Sequence, residues 1–277
     1  MELVTRAIGP LATNVHLVAD AGTREAIAID AAIPGLPWII GELGTRGWRL
    51  ALIVSTHGHW DHAGENAALQ AWSRERARAG MPAARAGGPA AIARAGDLAE
   101  PELGAASPGN DRLDAHVAED GLAIVGPDGG VRTADPSRGA EIAAHPADWY
   151  RLIDPQPLFA PFPIPPCIPA AELAEGAVIR FGEARLAVLH TPGHTEGSVS
   201  LVSHEAGVLF SGDTLFAGGW GRVDLPGGDP AAMVESLTRL GTLPDSLRVL
   251  PGHGAATTIG RERPWLEMVA RDRRLPL

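Results

Sequence analysis

Four side chains that can bind metal ions lie within six residues in the first quarter of the chain. The sequence Thr-His-Gly-His-Trp-Asp-His contains His57, His59, Asp61 and His62. Neutral imidazole suits zinc and iron, and a carboxylate adds negative charge that favours a second cation nearby. Gly58 lies among these residues, where a missing Cβ lets the backbone bend tightly and the ligands converge. The segment therefore predicts a metal site rather than a solvated histidine-rich turn.

Three further polar residues lie in turns that follow predicted strands. His194 lies in Thr-Pro-Gly-His-Thr, Asp213 in Ser-Gly-Asp-Thr and His253 in Pro-Gly-His-Gly. Any one of these sequences alone is typical of an ordinary turn. Together with the first cluster they give five histidines and two aspartates, which are enough ligands for two metal ions with positions left for water and substrate. The sequence therefore predicts a two-metal site.

The elements that must position these residues are strands mixed with helices. Short β-branched and apolar runs followed by turn residues predict strands at residues 14–18, 26–30, 50–56, 186–190, 198–202, 208–211 and 248–250. Helical patterns cover residues 38–46, 62–78 and 230–240. The last of these helices begins with Asp229 as a cap and Pro230 at its first position. The alternation indicates an α/β or α+β layered fold.

Two stretches depart from this pattern. Residues 73–138, approximately, are dominated by Ala, Gly, Pro and Arg, and no paired apolar strands can be marked there. We interpret them as an insertion in a single domain that spans residues 1–277. Residues 154–169 contain seven prolines and are predicted to form an extended, stiff loop over a surface.

Composition excludes several other classes of protein. The chain has 277 residues and a net charge of -10, which would repel a phosphate backbone, so nucleic acid is not expected as a partner. No stretch has the roughly 20 apolar residues needed to span a bilayer, and the N-terminus lacks a signal-peptide pattern, so we expect no membrane association and a cytoplasmic location. Cys167 is the only cysteine, which leaves histidine and carboxylate as the ligands for any metal.

The four motifs, taken in order, resemble the metallo-β-lactamase fold superfamily. They are His-x-His-x-Asp-His, Thr-Pro-Gly-His-Thr-x-Gly-Ser, Gly-Asp-Thr-Leu-Phe and Pro-Gly-His-Gly, and the resemblance covers residues 1 to about 72 and about 139 to 265. Residues 212–216, the loop 221–229 and residues 257–260 most resemble the glyoxalase II-like, hydroxyacylglutathione hydrolase-related branch.

The resemblance implies a four-layer αββα sandwich with the site at one edge. It assigns one metal to His57, His59 and His194, and the other to Asp61, His62 and His253. Asp213 would bridge both metals together with a water or hydroxide, and Asp61 and Asp213 are the predicted catalytic residues. Two zinc ions per chain are expected, with iron or manganese as alternatives. The implied reaction is hydrolysis of a thioester, ester or lactone by a metal-bridging hydroxide.

Other functions remain open at this point. A β-lactam is an alternative substrate. A mononuclear-iron persulfide dioxygenase is a second enzyme class, in which residues matching His57, His59 and His194 with Asp213 would serve one iron. A module that only stores or senses metal ions is a non-enzymatic reading, and it predicts saturated metal and no turnover. A homo-oligomer is left open as well.

Substrate preference is the last expectation. Glyoxalase II itself carries a C-terminal helical domain that binds glutathione, whereas this chain ends shortly after His253. We therefore expect a small-molecule substrate with an apolar or aromatic acyl group, gripped by Trp149, Phe159 and Phe162. Asp30 is expected to orient a ligand.

Overall fold

Two β-sheets face each other and carry helices on their outer faces in the computed structural model, which describes residues 1–80, 121–156, 160 and 162–276. The strands are β1 (Glu2–Ile8), β2 (Thr13–Ala19), β3 (Glu25–Ile29), β4 (Arg49–Val54), β5 (Ala123–Val125), β6 (Val131–Thr133), β7 (Glu141–Ala144), β8 (Ala171–Glu172), β9 (Val178–Phe181), β10 (Ala184–His190), β11 (Val199–Ser203), β12 (Val208–Gly212), β13 (Leu215–Phe216), β14 (Gly219–Trp220), β15 (Arg248–Pro251) and β16 (Thr257–Thr258). The helices are α1 (Leu36–Arg46), α2 (Trp60–Ala63), α3 (Asn66–Arg78), α4 (Trp149–Ile153), α5 (Pro230–Leu240) and α6 (Ile259–Asp272).

The first sheet is formed mainly by the first half of the chain, and the second sheet mainly by the second half. The first sheet has the strand order β1-β2-β3-β4-β7-β8, and the second has the order β16-β15-β12-β11-β10-β9-β5-β6. Strands β3 and β4 are parallel, as are β12 and β15. Because parallel strands end at the same edge of a sheet, the loops after β3 and β4 meet at one place, as do those after β12 and β15. A short hairpin, β13-β14, follows β12.

Three apolar clusters separate four layers. Alternate residues of a strand point to opposite faces, so Val18 of β2 lies in the core between the sheets, while Val15 and Leu17 pack towards α1 and α3. On the far side, α5 and α6 cover the second sheet through a cluster that includes Leu237 and Leu266. The predicted αββα sandwich is confirmed.

The seven strands predicted from sequence all appear, with ends that differ by up to two residues. Helix α5 begins at Pro230 as predicted, and the Asp229 carboxylate accepts hydrogen bonds from the amides of Ala231 and Ala232 at 2.8 and 3.1 Å. The helix predicted at residues 62–78 is instead two helices, α2 and α3. The break lies at Gly64 and Glu65, and the amide of Glu65 donates to the carbonyl of Ala31 outside the helix.

The stretch interpreted as an insertion contains more structure than expected. Helix α3 continues to Arg78, and β5 and β6 pair with each other and, through β5, with β9 of the second sheet. Leu122 and Ile124 are buried in the core between the sheets. The expectation that residues 73–138 lack paired strands is therefore wrong at the C-terminal end of that range. Residues 81–120 lie outside the described part of the chain, and the single-domain division stays a prediction.

None of the helices in the described ranges is long and apolar enough to cross a membrane.

Candidate metal centre

The structure brings all seven predicted ligand residues together at one edge of the sandwich. His57, His59, Asp61 and His62 follow β4 of the first sheet, whereas the other three come from loops after β10, β12 and β15 of the second. Their ligand atoms form three groups, and within each group the atoms lie within 4.8 Å of one another. The groups are His57, His59 and His194; His57, His62 and Asp213; and Asp61, His62 and His253.

Asp213 lies between the two histidine sets. Its Oδ2 is 3.6 Å from Nε2 of His194 and 3.4 Å from Nε2 of His253, and its Oδ1 is 3.4 Å from Nε2 of His62. The approach is possible because the residue directly after β15 is Gly252, where a Cβ would collide with Asp213 Oδ1. Asp61 completes the second set, with its Oδ2 3.2 Å from Nε2 of His253.

The other ring nitrogen of each of four histidines is hydrogen-bonded to a fixed group. His62 Nδ1 lies 2.9 Å from Asp30 Oδ2, and His57 Nδ1 lies 3.2 Å from Thr56 Oγ1. His194 Nδ1 lies 2.7 Å from the carbonyl of Arg222, and the carbonyl of Leu11 lies 3.0 Å from Nδ1 of His253. Such contacts fix the orientation of a ligating ring. Asp30 thus contacts the predicted ligand His62, as the sequence analysis expects.

The unpaired atoms of the site fit a metal ion. Within the part of the chain that the structure describes, Nε2 of His57, Nε2 of His59 and Oδ1 of Asp213 are buried without a hydrogen-bond partner. Buried polar atoms are normally paired, so unpaired ones at a cluster of this composition point to a missing partner. Imidazole and carboxylate together suit zinc, iron and similar divalent metals.

The pKa values of the site histidines fall into two groups, lowered for His57 and His59 and raised for His62 and His253. Burial, with His194 beside it, lowers the pKa of His59 to about 3, and burial also holds the pKa of His57 well below its ordinary value. Burial acts in the same direction on His62 and His253, but the carboxylates of Asp61 and Asp213 outweigh it and raise the pKa of His62 to about 9 and that of His253 to about 10. The carboxylates thus favour positive charge beside them, which a bound cation would supply.

Asp148 is a residue of the site that the sequence did not predict. It is fully buried and lies between β7 and α4. Its Oδ2 accepts hydrogen bonds from the amide of Gly58 and the hydroxyl of Thr195, both at 2.7 Å, and its Oδ1 accepts from the amide of Gly197 at 2.9 Å. One carboxylate therefore ties the first metal-binding loop to the loop that carries His194.

Arg151 extends this connection to a third loop. Its Nε donates to Asp148 Oδ1 at 3.3 Å, and its terminal nitrogen donates to Glu196 Oε2 at 2.5 Å and to the carbonyl of Pro226 at 2.9 Å. A Cβ on Gly58 would lie 2.6 Å from Cβ of Arg151. Glycine is thus required at this position because Arg151 packs against it, in addition to any bend in the loop.

A cavity of about 550 Å³ opens onto the ligands. It is lined by Leu11, His59, Trp60, Asp61, Gln156, His194, Asp213, Phe216, Gly221, Arg222, Leu225 and His253. Its volume is typical of a site for a small molecule.

The aromatic residues expected to grip the substrate are placed differently. Trp149 packs on the helix side of the first sheet, with its indole nitrogen donating to the carbonyl of Ala144. Phe162 packs edge-on against Trp60 at 5.7 Å between ring centroids. Phe159 lies outside the described residues. Neither Trp149 nor Phe162 is among the described residues that line the cavity, so direct contact of these side chains with substrate has no support in the structure and the substrate preference stays a prediction.

Comparison with known proteins decides the family. Residues 8–253 match the model of the metallo-beta-lactamase superfamily. The chain belongs to the metallo-β-lactamase superfamily. This agrees with the resemblance of its motifs and places it among metal-dependent hydrolases.

Relatives in this superfamily include proteins with and without an assigned activity. An uncharacterized protein of Aquifex aeolicus is 31% identical over 93% of this chain and 92% of its own length. The hydroxyacylglutathione hydrolase of Maricaulis maris is 28% identical over 91% of this chain and 66% of its own. Hydroxyacylglutathione hydrolase GloC of Haemophilus influenzae is 42% identical over 32% of this chain and 42% of its own. The chain thus spans less than two thirds of the length of both relatives with that activity.

Two solved structures have a fold similar to that of this chain. The BLEG-1 B3 metallo-beta-lactamase has a TM-score of 0.65 at 24% identity, covering 96% of this chain and 99% of its own. TTHA1623 in a di-iron-bound form has a TM-score of 0.61 at 28% identity, covering 94% of this chain and 96% of its own.

Proposed function

We propose that the protein is a dinuclear metallo-hydrolase that cleaves a thioester, an ester or a lactone of a small-molecule substrate. The observation that carries this proposal is the position of Asp213. Its carboxylate lies between one set of three histidines, His57, His59 and His194, and a second set of two histidines and an aspartate, Asp61, His62 and His253. A carboxylate that lies beside both ligand sets would suit two cations, because its negative charge is close to both.

Two divalent ions held there would supply water that ionises near neutral pH and would polarise the carbonyl group of the substrate. Hydroxide from this water would add to the acyl carbon, and the bond from that carbon to the alcohol oxygen or thiol sulfur would break. One proton of the water would go to solvent and the other to the released oxygen or sulfur, which in a lactone stays joined to the product. The protein residues hold the site rigid for this reaction. Thr13 Oγ1 donates to Asp61 Oδ2 at 3.0 Å, and Asp30, which aligns His62, is itself held by the amide and hydroxyl of Thr56 at 2.8 Å.

Asp61 and Asp213 are the residues that we propose as catalytic. Both are buried, and although burial acts to raise the pKa of each carboxyl, the neighbouring His62 and His253 lower it. Both therefore stay ionised and keep negative charge at the floor of the cavity. We propose zinc as the metal, and the di-iron form of TTHA1623 supports iron as an alternative.

Metal analysis and a substrate screen test the proposal. Zinc-loaded and iron-loaded protein would be assayed with thioesters, esters, lactones and a chromogenic β-lactam, with oxygen uptake recorded in parallel. We expect two metal ions per chain and hydrolysis that a chelator abolishes. Iron-dependent oxygen uptake without hydrolysis, or a chain that binds metal without turning over any of these compounds, would contradict it.

Substitution of the shared carboxylate is the sharper test. Asp213→Asn is expected to lower kcat/KM at least about a hundredfold, or about 2.7 kcal/mol of transition-state stabilisation, because one charged oxygen between the two ligand sets is lost. The matched control is His204→Ala, which removes an exposed histidine from the turn after β11. Near-native kcat/KM in Asp213→Asn would show that Asp213 does not bridge the site.

A further inference from the structure

The wall of the cavity above the ligands is apolar. Leu11, Trp60, Phe216 and Leu225 supply it, and the Phe216 ring lies edge-on to the ring of His253, with 6.2 Å between centroids. The part of a bound acyl group that extends beyond the candidate metal ligands would therefore contact hydrocarbon side chains.

Leu11 is the exposed member of this wall. The residue is 52% exposed. The turn that carries it is fixed, because its carbonyl lies 3.0 Å from His253 Nδ1 and the amide of Ala12 donates to the carbonyl of Gly9. The exposed leucine lies on a hydrogen-bonded turn at the mouth of the cavity. Covering it with an apolar group would remove its side chain from water, which is favourable.

The guanidinium group of Arg222 at the edge of the cavity already has a carboxylate partner. Arg222 supplies the one guanidinium or ammonium group among the described residues that line the cavity. Its Nε and terminal nitrogen donate to the two oxygens of Asp224 at 2.7 and 2.8 Å. This hydrogen bonding lowers the pKa of Asp224 to about 2. The pair is therefore fully ionised and has no net charge near neutral pH.

An anionic acyl group would meet unfavourable electrostatics at this rim. Asp224 already offsets the charge of Arg222, so the guanidinium hydrogens that it leaves free would attract the anion weakly, and the anion would lie near the Asp224 carboxylate. The other polar residue of the rim, Gln156, offers an uncharged amide. The net charge of -10 on the chain also disfavours the approach of an anion.

Resting on the hydrolase function proposed above, we propose that the cavity selects substrates whose acyl group is apolar and uncharged, and that the Arg222–Asp224 pair rejects those whose acyl group ends in a carboxylate. The Asp224 side chain is thus a specificity determinant, and Leu11 is part of the acyl-binding surface.

A matched pair of esters tests this selectivity on the zinc-loaded protein. 4-Nitrophenyl heptanoate ends in a methyl group, and mono-4-nitrophenyl adipate has nearly the same length but ends in a carboxylate. We expect kcat/KM for the heptanoate ester to be at least about tenfold higher, because an anion without a partner is costly to desolvate. Calorimetric titration with heptanamide and adipamate, which carry the same acyl groups, gives the same comparison as a ratio of Kd values.

Substitutions of Asp224, Arg222 and Leu11 show which side chains cause the selectivity. Asp224→Asn frees the guanidinium and is expected to raise the adipate-to-heptanoate ratio of kcat/KM about fivefold or more, and adding Arg222→Gln should remove that gain. Leu11→Ala should lower kcat/KM for the heptanoate ester through KM. The control is Asp272→Asn, which breaks a similar exposed pair with Arg271 on α6 and should leave the ratio unchanged.

The possible failures are distinguishable. Equal kcat/KM for the two esters, or a ratio that Asp224→Asn does not change, would overturn the selectivity while leaving the hydrolase function in place. A zinc-loaded protein that hydrolyses no ester, thioester or lactone would instead remove the proposed function on which the selectivity rests.

Discussion

Asp148 shows how much one buried side chain can organise. Its two oxygens accept from the amides of Gly58 and Gly197, the hydroxyl of Thr195 and Nε of Arg151. All four partners are donors, so a group that only accepts is required. An asparagine in its place would turn one acceptor into an NH2 group that faces donors. At least one of them would then be buried without a partner.

We expect Asp148→Asn to lower the free energy of unfolding by about 2–4 kcal/mol, as for one or two unsatisfied buried groups. It should also weaken zinc binding about 10–100-fold, because Asp148 holds Gly58 between the candidate ligands His57 and His59, and loss of a group that positions ligands has effects of that size. Urea unfolding of the metal-free protein gives the first quantity, and zinc titration gives the second.

Asp154→Asn is the control for this substitution, since it makes the same chemical change at an exposed position just after α4. It should alter neither quantity. A lower unfolding free energy for Asp148→Asn with an unchanged Kd for zinc would mean that Asp148 holds the fold and has no positioning role at the metal site.

At the level of elements, local signals predicted the candidate ligands and Asp30 but missed Asp148. The candidate ligands were found because each of their four motifs follows a predicted strand. Asp148 has no such pattern, and its partners Gly58, Thr195 and Gly197 lie 90, 47 and 49 residues away. Only the assembled fold brings them together.

Short strands and the break before α3 were missed for a related reason. β5, β7 and β9 have three or four residues each and are stabilised by pairing with strands that lie far off in sequence or by burial between the sheets. The helical pattern through residues 62–78 is continuous, but at the break the amide of Glu65 donates to the carbonyl of Ala31, which lies far off in sequence. Hydrophobic periodicity contains no information about either contact.

The junction between β7 and the turn that carries Asp148 leads to a pH prediction. His145 follows β7, its Nδ1 accepts from the amide of Ala147 at 3.2 Å, and its ring stacks on His190 at 4.0 Å between centroids. Burial, with His190 beside it, lowers the pKa of His145 to about 4 from an ordinary value of 6.5. Between pH 6.5 and about 4 the unfolded chain therefore binds a proton that the folded chain does not, so acid lowers stability.

We expect His145→Gln to flatten the pH dependence of the unfolding free energy between pH 7.5 and 5, because the group that takes up the proton on unfolding is gone. Urea unfolding of the metal-free protein at the two pH values measures the slope. His204→Gln removes an exposed histidine and should leave the slope as it is. An unchanged slope in His145→Gln would show that His145 is protonated equally in the folded and unfolded states.

At the scale of the whole molecule, the candidate metal centre is a junction between the two sheets. Four ligand residues come from the loop after β4 of the first sheet, and three come from loops of the second. The protein already joins the two edges there through Asn14, whose amide nitrogen donates to the carbonyls of Pro251 and Gly254, both at 2.9 Å. Metal ions bound between these loops would add further links between the halves.

Metal binding should therefore stabilise the entire fold. A ligand at a hundred times its Kd adds about 2.7 kcal/mol per site to the folded state. For a chain of this size, that corresponds to a rise in Tm of at least about 5 °C. We expect zinc added to the metal-free protein to raise Tm until two equivalents per chain are bound, as followed by thermal unfolding alongside elemental analysis. Magnesium prefers six oxygen ligands and should have little effect. Saturation at one equivalent would contradict the dinuclear site and favour a mononuclear one, because in that case only one of the two ligand sets beside Asp213 would hold a metal.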